Sequence, residues 1–154
     1  WWSVFTDNIK VPAGKTYVVS FTNYSSMANN WNNFVTILRN SANKEYAVVR
    51  SDNYGWGDGY AASRNSGGQA DWAGWLSAMN GANVTVYVTN CNNGTADVQA
   101  VMNGTNGKTY IQYYLGVNTV DVNDLCFAFT IDSCHLTFKS SAASSSKRAF
   151  FHKG

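Results

Sequence analysis

Residues 83–115 read NVTVYVTNCNNGTADVQAVMNGTNGKTYIQYYL. Val84, Val86 and Val88 alternate with Thr85, Tyr87 and Thr89, so a strand here turns its valines to a core and the other three outward. Asn93-Gly94, Asn103-Gly104 and Asn106-Gly107 follow at short intervals, and Pro12-Ala13-Gly14 repeats the signal upstream. Such residues supply the left-handed backbone angles that tight reversals need, and strands joined by tight reversals lie antiparallel.

The same period of two recurs on both sides, with Phe127, Phe129 and Ile131 repeating it late in the chain. Strands are expected near 2–10, 15–23, 33–39, 45–52, 83–90, 96–103, 107–115, 125–131 and 134–139. Residues 52–69 are too polar and glycine-rich for a strand and are expected to form a long loop. In residues 71–80, Trp72, Trp75, Leu76 and Met79 fall on one face of a short helix, with Asp71 as its cap and Gly81 as its stop. One open sheet would leave its apolar face wet, so the expected fold is all-β: a two-sheet antiparallel β-sandwich, a jelly roll, with one short helix.

A chain of 154 residues fits one domain. Its boundaries are expected at 1–139, with 140–154 a Ser/Ala-rich linker or tail that ends in a basic run. Hydrophobic residues make up 45% and charged ones 13%, which gives ample core material under an uncharged surface. Lys147, Arg148 and Lys153 carry the positive balance, and without them eight basic residues face nine acidic ones. That leaves no basic patch to displace counterions from phosphates, so a nucleic-acid partner is not expected. No apolar run approaches the length of a membrane span, and a monomer, secreted or on the cell surface, is expected. The chain opens on Trp1-Trp2 without a leader, as a mature or excised fragment does.

Familiar catalytic and metal patterns do not match. Cys91, Cys126 and Cys134 fit no zinc or redox spacing, and Cys126 and Cys134, flanking an expected hairpin FAFTIDS, either pair across it or remain free thiols. Glycoside hydrolysis uses two carboxyl groups, most often including a glutamate, and the one glutamate is Glu45. Asp52 with Asp71 is a conceivable acid/base pair, but turn and capping duties explain both, as they explain Asp121, Asp124 and Asp132. The ExDxxE-type strand of sandwich-fold glucanases is missing, and His135 lies in a strand pattern with no nucleophile elbow. No cofactor is expected; a structural calcium held by main-chain carbonyls and one or two aspartates would leave no readable signal.

Sugar binding asks for flat aromatic faces and neutral hydrogen-bonding groups. Six Trp, nine Tyr and eight Phe exceed the needs of one small core, and 19 asparagines stand among them. Trp56, between Gly55 and Gly57 with Tyr54 and Tyr60 nearby, is the first candidate platform. Trp31, with Asn30 in NNWNNF, is placed at a cleft edge or in the core; of Trp72 and Trp75, at least one belongs to the core and the other, with Trp72 the binding candidate, is expected to project into the groove. Arg50 and Asp52, at the lip of the long loop, can chelate adjacent hydroxyls or pair with each other. Four sequons stand at Asn23, Asn83, Asn93 and Asn103.

NNWNNFVTIL (29–38), EYAVVRSDNYGWG (45–57) and WLSAMNGANVTVYVTN (75–90) resemble carbohydrate-binding β-jelly-roll modules attached to bacterial polysaccharide-degrading enzymes, over about residues 4–139. The resemblance implies a non-catalytic module that holds a β-glucan or related plant cell-wall β-glycan in a Trp-lined groove and targets an attached glycoside hydrolase. A sandwich-fold glycan-degrading enzyme and a protein-binding adhesive sandwich are the alternatives.

Overall fold

The computed structural model describes residues 6–25, 33–51, 65–67, 72–119, 121–132 and 134–144. Among these residues ten strands and one helix follow in chain order: β1 (Ile9–Lys10), β2 (Thr16–Ser25), β3 (Asn33–Arg39), β4 (Glu45–Arg50), β5 (Asn65–Gly67), α1 (Trp72–Ala78), β6 (Ala82–Asn90), β7 (Thr95–Asn103), β8 (Thr109–Asn118), β9 (Cys126–Asp132) and β10 (Cys134–Ser144). They form a four-stranded sheet ordered β1-β9-β3-β4 and a six-stranded sheet ordered β10-β2-β6-β7-β8-β5. Every pairing is antiparallel. The first two described strands pair with the last two, β1 with β9 and β2 with β10, which gives the sandwich a rolled order.

The meander β6-β7-β8 shows how local chemistry sets the fold. Val84, Val86 and Val88 are buried in the interior, as their alternation requires. Asn92 and Gly94 take positive φ of 59° and 83° to reverse the chain, and the Asn93 Oδ1 accepts from the Thr95 N–H at 3.0 Å and its hydroxyl at 2.7 Å. Gly107, at φ 81°, reverses it again. Gly104 is needed for a different reason: a Cβ there would stand 2.8 Å from the Ala78 Cβ, because α1 ends against this turn. The Thr105 N–H donates to the Ala78 carbonyl at 3.1 Å and fastens the contact.

Between the sheets, Phe21 meets Phe34 and Phe129 edge-to-face with centroids 5.1 and 5.3 Å apart, and Phe127 meets Phe129 at 5.6 Å. All four rings are buried, each contributing roughly 1.5–3 kcal/mol of apolar burial. Helix α1 adds Trp75 and Ala78 to this core, the turn after it adds Met79, and Gly81, whose φ is +99°, ends that turn. Asn23 holds the helix end: its Nδ2 donates to the Met79 carbonyl at 2.8 Å, and its main-chain carbonyl accepts from the Gly81 N–H at 2.7 Å.

Several expectations are corrected. FAFTID is one strand of the small sheet, and the chain then crosses to the large sheet, so no hairpin joins β9 to β10. Cys126 and Cys134 therefore begin successive strands, with the length of β9 between them, and all three cysteines are free. The final strand continues past residue 139 to Ser144, because backbone pairing with β2 asks little of the side chains. The stretch expected as a loop over 52–69 contains β5, which pairs with β8. Of the first expected strand, residues 6–10 are described, and the strand there is Ile9–Lys10.

Candidate functional site

The aromatic candidates Trp31, Tyr54, Trp56 and Tyr60, with Asn30, Asp52 and Asp71, lie outside the described residues. Trp72 opens α1, and its side chain is likewise outside them, whereas Trp75 is fully buried and belongs to the core. Arg50 ends β4 as expected but is only 3% exposed. It pairs with Val35, on the face of the small sheet opposite to Phe34 and Leu38. Two aspartates expected in turns are engaged there. Asp124 accepts from the Ser41 N–H at 2.9 Å and the Ser41 hydroxyl at 3.1 Å, and Asp121 accepts from the Asn123 N–H at 2.9 Å. Among the described residues, no three His, Cys, Asp or Glu side chains gather in a way that could hold a metal.

The large sheet offers a site that the sequence reading did not name. Odd-numbered Val19 and Phe21 of β2 turn inward, so even-numbered residues turn to the outer face. Register then places Thr137, Thr22, Asn83, Asn103 and Thr109 side by side on five adjacent strands. With strands about 4.8 Å apart, this row runs about 19 Å across the sheet. Thr22 is half-buried and the other four are exposed.

Hydrogen bonds within the row orient its groups. The Thr22 hydroxyl donates to the Asn83 Oδ1 at 3.2 Å, and the Lys139 Nζ, on β10 beyond β2, donates to the same oxygen. The Thr109 hydroxyl donates to the Asn103 Oδ1 at 2.9 Å. Both amide oxygens are thereby engaged, and the two Nδ2 groups remain as donors at the surface.

Exposure falls along the strands from this row. Next come Ser20, Thr85, Val101 and Ile111, half-buried, with the Ser20 and Thr85 hydroxyls 3.1 Å apart. Beyond them Tyr87, Gln99 and Tyr113 are buried, and then Thr16, Thr89 and Asp97. Burial pushes the Tyr87 phenol above its usual pKa, so it stays a neutral hydroxyl. Asp97 accepts from the Gly116 N–H at 2.8 Å beside the bulge between Ala96 and Val98. On the other side of the row, two residues along β2 and β10, Tyr24 and His135 stack. Among the described residues, the exposed part of this face carries hydroxyls, amides, the stacked Tyr24 and His135 rings and the Lys139 ammonium, with Val101 and Ile111 half-buried beside the row.

The sequons divide on this face. Asn23 is fully buried with its amide engaged, so it cannot accept a glycan in the folded chain, whereas Asn83 and Asn103 stand in the exposed row. No family model matches the chain, and no curated protein matches it.

Proposed function

We propose that the chain is a non-catalytic binder of a neutral polysaccharide, a β-glucan or related plant cell-wall β-glycan, which it holds across the outer face of the large sheet. The observation that carries this reading is the row Thr137, Thr22, Asn83, Asn103 and Thr109, a line of uncharged hydrogen-bonding groups set at the spacing of adjacent strands. A polymer whose hydroxyls recur along an extended chain meets such a line repeatedly, and Tyr24, two residues along β2 from Thr22, adds an aromatic face beside the row for the C–H side of a pyranose. Each neutral hydrogen bond contributes about 0.5–1.5 kcal/mol net, so affinity is modest and depends on several contacts together. Because the groups are uncharged, added salt leaves binding almost unchanged. The role that follows is to keep an attached glycoside hydrolase, outside the cell, close to its polymer by effective concentration.

Affinity electrophoresis in gels containing cellulose derivatives, xyloglucan, barley β-glucan, xylan, mannan or laminarin tests the reading. Retardation is expected in at least one gel and is expected to be lost in the double variant Asn83→Ala/Asn103→Ala. Free migration of the parent chain in every gel, or equal retardation of parent and double variant, rejects it. Reducing-end release from the same polymers would instead identify a degradative enzyme.

A further inference from the structure

On one side of the sandwich, where β1 and β10 are the edge strands, the two sheets part around a cleft of about 430 Å³. This is within the range of small-molecule sites. Its lining is Thr6, Asp7, Ile9, Val19, Phe129, Phe138 and Lys139. Val19 and Phe129 belong to the core, and Ile9 packs against it half-buried. Phe138 contacts Phe21 and Phe129 with centroids 5.6 and 5.9 Å apart, yet it is 48% exposed, the most exposed large hydrophobic among the described residues.

The polar groups at the mouth are unequal. The Thr6 hydroxyl accepts from the Phe129 N–H at 2.9 Å and donates to the Asp7 carbonyl at 3.3 Å, so it is already used. The Lys139 ammonium is drawn to Asn83 on the outer face and leaves its alkyl stem on the cleft. The Asp7 carboxylate is exposed and has no partner among the described residues. A sugar ring in this cleft would leave most of its hydroxyls unmet, whereas an apolar ring bearing one cationic group would satisfy both features.

We propose that this cleft is a second binding site, separate from the polar row, for an arylalkylammonium compound whose ring lies against Phe138 and Phe129 and whose ammonium meets Asp7. Phenethylamine, phenylacetate and 2-phenylethanol, titrated into the ¹⁵N-labelled full chain at low salt, test it. The amine is expected to shift the Ile9, Val19, Phe129 and Phe138 amides saturably and to bind on the order of fivefold to tenfold more tightly than the acid. Asp7→Asn is expected to weaken the amine about threefold and leave the alcohol unchanged. Phe138→Ala is expected to weaken all three probes. Equal binding of acid and amine, an Asp7→Asn variant that binds the amine as the parent does, or shifts that miss Val19 and Phe129 would each overturn the proposal. Asp7 is exposed, so its variant folds even where Phe138→Ala does not.

Discussion

The Tyr24 ring lies almost parallel to the His135 imidazole, with centroids 4.8 Å apart and planes inclined by 19°. The two are partners on β2 and β10, so sheet register itself stacks them, and Tyr24 remains 39% exposed. A ring held in one orientation loses little freedom when a sugar settles beside it. Tyr24→Ala is expected to weaken polysaccharide binding about two- to tenfold. His135→Ala is expected to weaken it less, by freeing the phenol. Urea midpoints should stay near the parent's, since both side chains are exposed. An unchanged affinity in Tyr24→Ala removes this ring from the site.

Stability should decline in alkali. Burial raises the Tyr46 phenol above its ordinary 10.0, and the Asp124 and Asp121 carboxylates and the Cys126 thiolate add to the shift. The Tyr46 hydroxyl donates to the Asp124 carbonyl at 3.2 Å. Burial raises Tyr87, and burial with Asp124 raises Cys126 above its ordinary 9.0. All three shifts are upward, so well below pH 9 these groups are neutral in both states and add no pH dependence. As pH rises through 9 to 10 the unfolded chain ionises first, and the stability held by the neutral folded groups is lost as pH climbs toward the folded values. Urea midpoints at pH 7 and pH 10.5 should differ, and Tyr46→Phe with Cys126→Ser should flatten the difference. A parent chain equally stable at both values excludes this account.

What could be read from sequence was what local chemistry decides. Val84, Val86 and Val88 announced a strand with its valines inward, Asn93-Gly94 its reversal, and the spacing of Trp72, Trp75, Leu76 and Met79 a short helix against the core; all three elements are found there, although Tyr87 and Thr89, expected outward, are buried. What could not be read was partner choice. Nothing in FAFTID says that the next strand joins the other sheet, and Ser140 to Ser144 pair through backbone atoms that carry no sequence signal. The polar row was hidden for the same reason. Outward threonines were visible in β6, but Thr22 and Thr137 come together only once β2 finds β10. The tryptophans that composition singled out lie largely outside the described residues, and the one tryptophan whose burial is described, Trp75, serves the core.

Asn90 fastens two connections at one end of the sandwich. Its Nδ2 donates to the Val11 carbonyl at 3.0 Å and the Val122 carbonyl at 2.8 Å, and its Oδ1 accepts from the Asn92 N–H at 3.0 Å, all at a fully buried position. Asn90→Ala leaves two carbonyls and one amide without a partner and is expected to cost about 2–4 kcal/mol. Asn90→Asp points a carboxylate at two carbonyls. It should be destabilised at neutral pH and recover in part as pH falls, when the protonated carboxyl can donate. Denaturant titrations of both variants check this, and a loss under about 0.5 kcal/mol in Asn90→Ala would show that water replaces the amide freely.

Gln112 is the opposite case, a buried amide that the fold does not use. It lies on β8 between Tyr110 and Tyr114, paired with Ala100 and turned to the interior. It is 1% exposed, and neither Oε1 nor Nε2 has a hydrogen-bond partner among the described residues. An amide stripped of water without compensation costs about 1–3 kcal/mol. Methionine has the same length and no such demand, so Gln112→Met is expected to raise stability by about 1–2 kcal/mol, as a higher urea midpoint at an unchanged slope. Gln112→Ala separates the two contributions, because it removes the amide but also its volume, and the cavity offsets the gain. A Gln112→Met variant less stable than the parent would mean that the amide is satisfied in solution by an internal water, and that the sandwich is wet at this point in its core.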